Sequence, residues 1–201
     1  MKTLKKISFG LLIVIALLVV ISFFLPSKVI VKRSMVMKAP QEVIFDQVNT
    51  LKNWEKWSPW LKLDPNIKLT YEGPATGVGA KYSWASEKHD VGHGTLTISG
   101  STPNTEVDNA MDFKDRGNST SDFKFEKTDG GTKVTWSMET DMGMNPVGRY
   151  VGLMMDGMVG KTFEEGLNNL DKASQAAAAA MPVAVPMHPA DSAKPAQASA
   201  H

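Results

Sequence analysis

The sequence predicts an α+β fold in which an antiparallel, seven-stranded sheet wraps around a long C-terminal helix, with one transmembrane helix ahead of the domain. Three observations predict this arrangement. Residues 7–25 form an apolar run without a charge, residues 67–140 alternate in short segments broken by turn residues, and residues 146–172 carry apolar side chains at helical spacing. The chain of 201 residues therefore divides into a transmembrane anchor at 1–27, one domain at 28–172 and a disordered Ala/Pro-rich tail at 173–201.

The apolar run follows three lysines and is long enough to cross a membrane. At about 1.5 Å per residue it reaches about 28 Å, against a hydrocarbon core of roughly 30 Å. A cleaved signal peptide is the alternative, but the run exceeds the roughly 7–15 apolar residues of a signal peptide, and residues 23–27 offer no small-x-small cleavage site. We therefore expect a single-pass membrane protein. A short basic N-terminal stub usually stays in the cytoplasm, so we expect the domain on the extracytoplasmic (periplasmic) side.

The domain opens with a strand and a helix. Residues 29–38 alternate between apolar and polar side chains, which is typical of a half-buried strand. Pro40 fits the first turn of a helix over residues 41–51, where Val43, Ile44 and other apolar side chains recur at helical spacing. This pattern predicts one amphipathic helix directly after the first strand.

Three tryptophans follow that helix at intervals of three residues. They are Trp54, Trp57 and Trp60, and Pro59 ends any helix there. The favoured interpretation is a structural plug that holds this segment on the sheet. The alternative is that one or more of them border the mouth of a cavity or touch the bilayer, since tryptophan is enriched at membrane interfaces.

Six more strands are predicted between residues 67 and 140. Apolar side chains share one parity within each segment, as in the pair Tyr82 and Trp84, and clusters of Gly, Pro, Asn and Asp between the segments are turn residues. Each segment is apolar on one face only. The strands must therefore form an antiparallel sheet that is covered on one side.

A long helix ends the domain. Asn145 can cap it and Pro146 fits its first turn. Its first half is rich in glycine and methionine, and each glycine costs a helix about 1 kcal/mol relative to alanine. Either the helix packs very close to the sheet, or it leaves room beside itself for a guest molecule. The spacing of Gly148 and Gly152 matches a dimer motif of membrane helices, but here it lies in an amphipathic helix of the domain.

The composition and the motifs exclude several kinds of function. A net charge of +1 with scattered basic residues gives no surface for nucleic acid, and a chain without cysteine has no disulfide or thiolate chemistry. Strand parity turns His93 outward, and His89 lies in a turn. We find no Ser-His-Asp order, no paired histidine ligands and no phosphate-binding glycine loop. The sequence therefore predicts no catalytic residue, no metal and no cofactor.

Several short motifs occur in the order that this architecture requires. They are residues 37–45 (MKAPQEVIF), 54–60 (WEKWSPW), 71–74 (YEGP), 77–84 (GVGAKYSW), 131–136 (GTKVTW) and the helix from 148 to 167. The set resembles the helix-grip fold of the START-like, or SRPBCC, superfamily, and more narrowly its polyketide cyclase/dehydrase-like branch. The resemblance implies a deep apolar cavity between the sheet and the long helix, but it does not imply one reaction.

Strand parity and the resemblance together name the residues that we expect to line this cavity. Two of them, Arg33 and Asn109, are polar, and either could orient the carboxylate, phosphate or carbonyl of a ligand. Alternatively, Arg33 could extend to solvent from the start of its strand. The full set of candidates is Arg33, Tyr71, Tyr82, Trp84, Asn109, Met111, Phe123, Trp136, Met154, Met155 and Met158.

The leading hypothesis is a membrane-anchored protein that binds a hydrophobic small molecule or lipid in this cavity without transforming it. Its partners would be that ligand and the membrane, through residues 7–25. One alternative is a polyketide cyclase/dehydratase-type enzyme, in which Arg33, Tyr82 or Asn109 would polarise a carbonyl. The other is a non-catalytic protein-interaction module.

Overall fold

The computed structural model describes residues 2–89, 91–114 and 117–181, and it confirms the predicted α+β helix-grip architecture. The helices are α1 (Lys2–Ser22), α2 (Gln41–Asn49), α3 (Trp54–Trp57) and α4 (Pro146–Ala180), with short 3-10 turns at Leu51–Asn53 and Trp60–Lys62. The strands are β1 (Lys28–Met37), β2 (Lys68–Glu72), β3 (Lys81–Ala85), β4 (His93–Thr102), β5 (Glu106–Asp112), β6 (Asn118–Thr128) and β7 (Gly131–Asp141).

The seven strands form one antiparallel sheet in the order β1-β7-β6-β5-β4-β3-β2. Strands β2 to β7 are therefore neighbours in chain order, as the turn-rich sequence predicts, and β1 pairs with β7, with Arg33 opposite Trp136. One face carries the buried side chains of Val31, Phe123 and Trp136, and we call it the inner face. It is the face that the alternation of apolar residues predicts.

The two ends of the sheet differ in what lies next to them. At one end of the sheet, Val29 is opposite Thr140 and Ser119 is opposite both Thr140 and Met111. These residues lie where β1 leaves α1, and we call this the anchor end of the sheet. At the other end α2 packs against β5 and β6.

Helix α4 runs along β1, and two glycines allow it to come close. A Cβ added at Gly152 would lie 2.6 Å from Cγ2 of Val29, and one added at Gly160 would overlap the guanidinium of Arg33. Gly157, by contrast, faces open space. Of the two explanations for the glycine-rich half of this helix, close packing on the sheet therefore applies at Gly152 and Gly160.

The same helix continues to Ala180, eight residues beyond the predicted end at Lys172. Its extension contains the run of alanines at 176–180, and alanine has the highest helix propensity of any residue. Alanines need no apolar periodicity to form a helix, which is why the pattern of apolar side chains ended too early. The remaining part of the predicted tail, 182–201, lies outside the described residues.

Helix α1 contains one segment, Thr3–Ser22, that is long and apolar enough to cross a membrane, and apart from the buried Ser22 at its end its residues are exposed. A membrane anchor and a signal sequence share these properties. Its C-terminal end contacts the start of α4. Nη1 of Arg149 donates hydrogen bonds to the carbonyl oxygens of Ser22 at 3.2 Å, Phe23 at 3.0 Å and Leu25 at 3.1 Å.

Candidate functional site

The half of the inner face far from the anchor is filled by aromatic side chains. The ring of Trp136 stacks on Phe163 of α4 with centroids 3.9 Å apart, and on Phe123 at 4.8 Å. Trp57 packs edge-on against both Trp136 and Phe123. Two of the predicted cavity residues, Phe123 and Trp136, thus lie in a closed core.

Two tryptophans of the Trp-rich segment belong to this core, in agreement with the favoured structural interpretation. Trp54 and Trp57 are buried, and their indole N–H groups donate hydrogen bonds to the carbonyl oxygens of Val48 and Gln47. Trp60 differs, because 37% of it is exposed. The segment therefore plugs the far half of the inner face through its first two tryptophans.

The half of the inner face near the anchor has a different composition. Here the inward positions of β5 and β6 are occupied by Asn109, opposite Ser121, and by Met111, opposite Ser119. The next strand adds Met138, opposite Ser121. Small polar side chains and flexible thioethers thus replace the large rings of the other half.

Asn109 is the most unusual group in this half. Its side chain is 1% exposed, and neither its amide nitrogen nor its amide oxygen has a hydrogen-bond partner among the described residues. The neighbouring Ser121 hydroxyl accepts a hydrogen bond from Nε1 of Trp136 at 2.9 Å. A buried polar group without a partner costs about 1–3 kcal/mol. The amide therefore keeps a donor and an acceptor that no described residue uses.

A group of aromatic side chains lies on the same face as Asn109, on β3 and just after β5. The rings of Trp84 and Phe113 meet edge to face at 5.6 Å, and those of Tyr82 and Trp84 lie 6.0 Å apart. Trp84 and Met111 are only partly buried and pack against the core. Burial raises the pKa of Tyr82 above its ordinary value, so its hydroxyl keeps its proton at neutral pH.

Tyr71, another of the predicted residues, has its contacts on the protein surface. Tyr71 donates a hydrogen bond from its hydroxyl to Oε1 of Glu55 at 2.7 Å, and Lys52 lies 5.7 Å from the centre of its ring. Burial, together with this hydrogen bond, raises the pKa of Tyr71. Its side chain therefore ties β2 to α3 at the edge of the sheet.

Arg33 forms a clamp between β1 and α4. Its Nη1 lies 2.8 Å from Oδ1 of Asp156, and its Nε lies 2.8 Å from Oε1 of Glu164. The two carboxylates flank Gly160 on one side of α4, and the hydrogen bond from Arg33 lowers the pKa of Asp156. The guanidinium is thus occupied by protein carboxylates.

The three predicted methionines of α4 point in different directions. Met155 is partly buried and packs against the core. Met154 and Met158 are 60% and 65% exposed, on the side of the helix turned away from Gly152 and Gly160. Only Met155 therefore faces the inner face of the sheet. The predictions for Met154 and Met158 failed because helical spacing alone does not say which side of an apolar helix meets the sheet.

We call Trp84, Asn109, Met111, Ser121, Met138 and Met155 the anchor-side site. The sequence did not predict Ser121, because a serine at an inward position interrupts the apolar pattern by which inward-facing residues are recognised. It named Met138 as inward-facing but left it out of the cavity.

Two recesses open elsewhere on the surface. One, of about 360 Å³, lies on the outer face of the sheet over Thr97, Ala110 and Thr120, and of the predicted cavity residues it touches Met111. The other, of about 550 Å³, lies beside the last turns of α4 and is lined by alanines and lysines.

Strand β4 turns His93 to the outer face, as predicted. Within the described residues no group of three or more acidic or histidine side chains is placed to hold a metal.

Comparison with known proteins agrees with this architecture. The family described as polyketide cyclase / dehydrase and lipid transport matches residues 28–175. No curated protein is a significant match to the sequence.

Three solved structures illustrate the similarity. The chain is similar to a protein of unknown function from Staphylococcus aureus, with 10% identity, a TM-score of 0.57 and coverage of 75% of this chain and 95% of that chain. It is similar to protein Ms6760 from Mycobacterium smegmatis, with 18% identity, a TM-score of 0.51 and coverage of 74% and 92%. It is also similar to the di-domain ARO/CYC StfQ from the steffimycin biosynthetic pathway, with 10% identity and a TM-score of 0.58. That match covers 76% of this chain and 52% of StfQ, about half of the di-domain protein. At these identities the structures show a shared fold and no more.

Proposed function

The chain belongs to the polyketide cyclase / dehydrase and lipid transport family, and we propose that it binds a hydrophobic small molecule or lipid in the anchor-side site, next to a membrane that holds α1. The observation that carries this proposal is the buried amide of Asn109, which has no partner among the described residues. It lies on the inner face opposite Ile98 and Ser121 and two residues before Met111. A polar group in such surroundings is stabilised by a guest that brings its own hydrogen-bonding atom.

The lining of the site favours a largely apolar ligand of variable shape. Three of its side chains are Met111, Met138 and Met155, and an unbranched thioether repacks easily around irregular shapes. Their movement would enlarge the space between the inner face and the first half of α4. The far half has no such freedom, because Trp136 stacks on Phe163 there and Trp57 packs edge-on against Trp136.

The polar groups limit what the ligand carries at its inner end. The Asn109 amide offers both a donor and an acceptor, whereas cationic side chains are absent from the anchor-side site as defined above. A carbonyl, a hydroxyl or a protonated carboxylic acid would satisfy it. A free carboxylate or phosphate would be buried there without a counter-charge, which is costly.

A reaction is the second candidate, and one observation favours it. The hydroxyl of Tyr82 stays protonated and lies on the same face as Asn109, so the two could polarise one carbonyl group of a polyketide-like substrate. A cyclase/dehydratase-type reaction would then depend on both groups. Turnover of such a substrate that is lost in Tyr82→Phe, while binding persists, would support this candidate over simple binding.

Native mass spectrometry of the full chain in mild detergent, followed by solvent extraction, tests binding. The wild-type protein should carry a defined apolar adduct. Asn109→Leu should lose it, and the matched control Asn168→Leu, on the exposed side of α4, should keep it. A wild-type protein without an adduct, whose tryptophan fluorescence is unchanged by fatty acids, phospholipids and aromatic compounds, would contradict the proposal.

A further inference from the structure

The first turns of α4 expose a group of large apolar side chains. Within the segment 142–155 the single charged residue is Arg149, and it is 9% exposed. The exposed apolar residues and their exposed fractions are Met144 (71%), Val147 (71%), Val151 (43%), Leu153 (61%) and Met154 (60%). We call these five residues the apolar patch. A cluster of this kind on a soluble surface is typical of a contact site.

The patch is continuous with the end of α1. Tyr150 lies three residues after Val147 and four before Met154, on the same side of the helix, and its hydroxyl donates a hydrogen bond to the carbonyl oxygen of Leu18 at 2.8 Å. Leu18 is four residues, about 6 Å, inside the C-terminal end of α1. The first turn of α4 thus reaches the level of the last turn of the apolar helix.

Arg149 holds this arrangement in place. Besides its three hydrogen bonds to the end of α1, its Nε donates to the carbonyl oxygen of Gly143 at 2.9 Å, and its guanidinium lies 5.8 Å from the ring centre of Phe23. Two of the carbonyls that Arg149 binds, those of Phe23 and Leu25, lie just after the last residue of α1, where backbone carbonyls need partners from outside the helix. Helix α1 and the patch are therefore connected through direct hydrogen bonds.

From this geometry we infer that the apolar patch is a second membrane contact, which dips into the interfacial layer of the bilayer beside α1. The inference rests on the proposal that α1 lies in a membrane. The bilayer is the occupant because the residues of the patch share a side of α4 with Tyr150, which already touches the apolar helix. Phe23 and Tyr150 lie where aromatic side chains accumulate in membrane proteins.

The contact would also connect the bilayer with the anchor-side site. Val151 and Met154 belong to the patch, and Met155, which directly follows Met154, is partly buried and packs against the core. A lipid-like ligand that leaves the bilayer beside α4 would then reach Met155 without crossing water.

Single-cysteine labelling tests the inference, because the chain has no native cysteine. The full chain is reconstituted in phosphatidylcholine/phosphatidylglycerol vesicles that contain a doxyl-labelled phosphatidylcholine, and an environment-sensitive fluorophore is attached at Leu12→Cys, Val147→Cys, Met154→Cys or Val78→Cys. Leu12 reports on α1. Val78, which is 58% exposed in the turn before β3, is the matched control far from the anchor.

We expect at least a twofold loss of fluorescence at Leu12 and Val147, a smaller loss at Met154, and none at Val78. Quenching at Leu12 with none at Val147 would overturn the inference and leave the membrane location of α1 intact. No quenching at any position would overturn both. Energy transfer between labels at Val147 on different molecules, without lipid quenching, would assign the patch to a second copy of the chain and would also overturn the inference.

Discussion

Asn109→Leu should make the ligand-free protein more stable, which is the opposite of what most substitutions of buried residues do. The wild-type side chain buries two polar atoms that have no hydrogen-bond partner among the described residues. Each buried group of this kind costs about 1–3 kcal/mol. Leucine has the same branched arrangement of heavy atoms and removes that cost, so we expect a gain of about 1–3 kcal/mol, or roughly 2–12 °C in the midpoint of thermal unfolding for a domain of this size.

The assay is thermal unfolding of the delipidated full chain, followed by near-UV circular dichroism. Asn168→Leu is the control, and as a surface substitution it should change stability by no more than about 0.5 kcal/mol. Adding the extracted ligand should raise the midpoint of the wild-type protein and have little effect on Asn109→Leu, because a ligand stabilises only the state that it binds. A ligand-free Asn109→Leu protein that is less stable than the wild type would refute the reasoning, since the amide would then have a partner within the fold.

Two further predictions concern the clamp on α4 and the buried tyrosine. Gly160→Ala should displace the Arg33 guanidinium and lower the free energy of unfolding of the wild-type protein. In an Arg33→Ala background the same substitution should raise the free energy of unfolding by about 1 kcal/mol, because alanine has the higher helix propensity. Urea unfolding measures both, and equal effects in the two backgrounds would contradict the clamp. The pKa of Tyr82 is raised in the folded protein, so its contribution is complete below the unfolded pKa of about 10 and is lost as the pH rises above it. Tyr82→Phe should therefore lose less stability between pH 9 and pH 11 than the wild type, and parallel pH profiles would rule this out.

The fold was predictable because each element has a local signal in the sequence. Alternation of side chains fixes which residues of β5 and β6 face inward, and turn residues separate the strands. Asn145 marks the start of α4, and its side chain accepts a hydrogen bond from the backbone N–H of Gly148 at 3.0 Å. The end of α4 was not predictable in the same way, because its last turns are alanines without a pattern.

The candidate site was less predictable, because it depends on long-range packing. Parity correctly put Phe123 and Trp136 on the inner face, but it could not show that Phe163 and Trp57 fill the space over them. It likewise put Arg33 inward without showing that two carboxylates of α4 meet it. Such contacts join residues more than 20 positions apart, and no local pattern in the sequence encodes them.

Photo-crosslinking with a diazirine-labelled fatty acid tests the central claim most directly. The probe is added to the full chain in lipid nanodiscs, and the modified residues are mapped after trypsin digestion. We predict modification within residues 91–114, which include Asn109 and Met111, and within residues 150–161, which include Met155. Asn109→Leu should remove the modification within 91–114, and Asn168→Leu should leave both modifications unchanged. Modification confined to α1, or unchanged in Asn109→Leu, would contradict a binding site between the inner face of the sheet and the first half of α4.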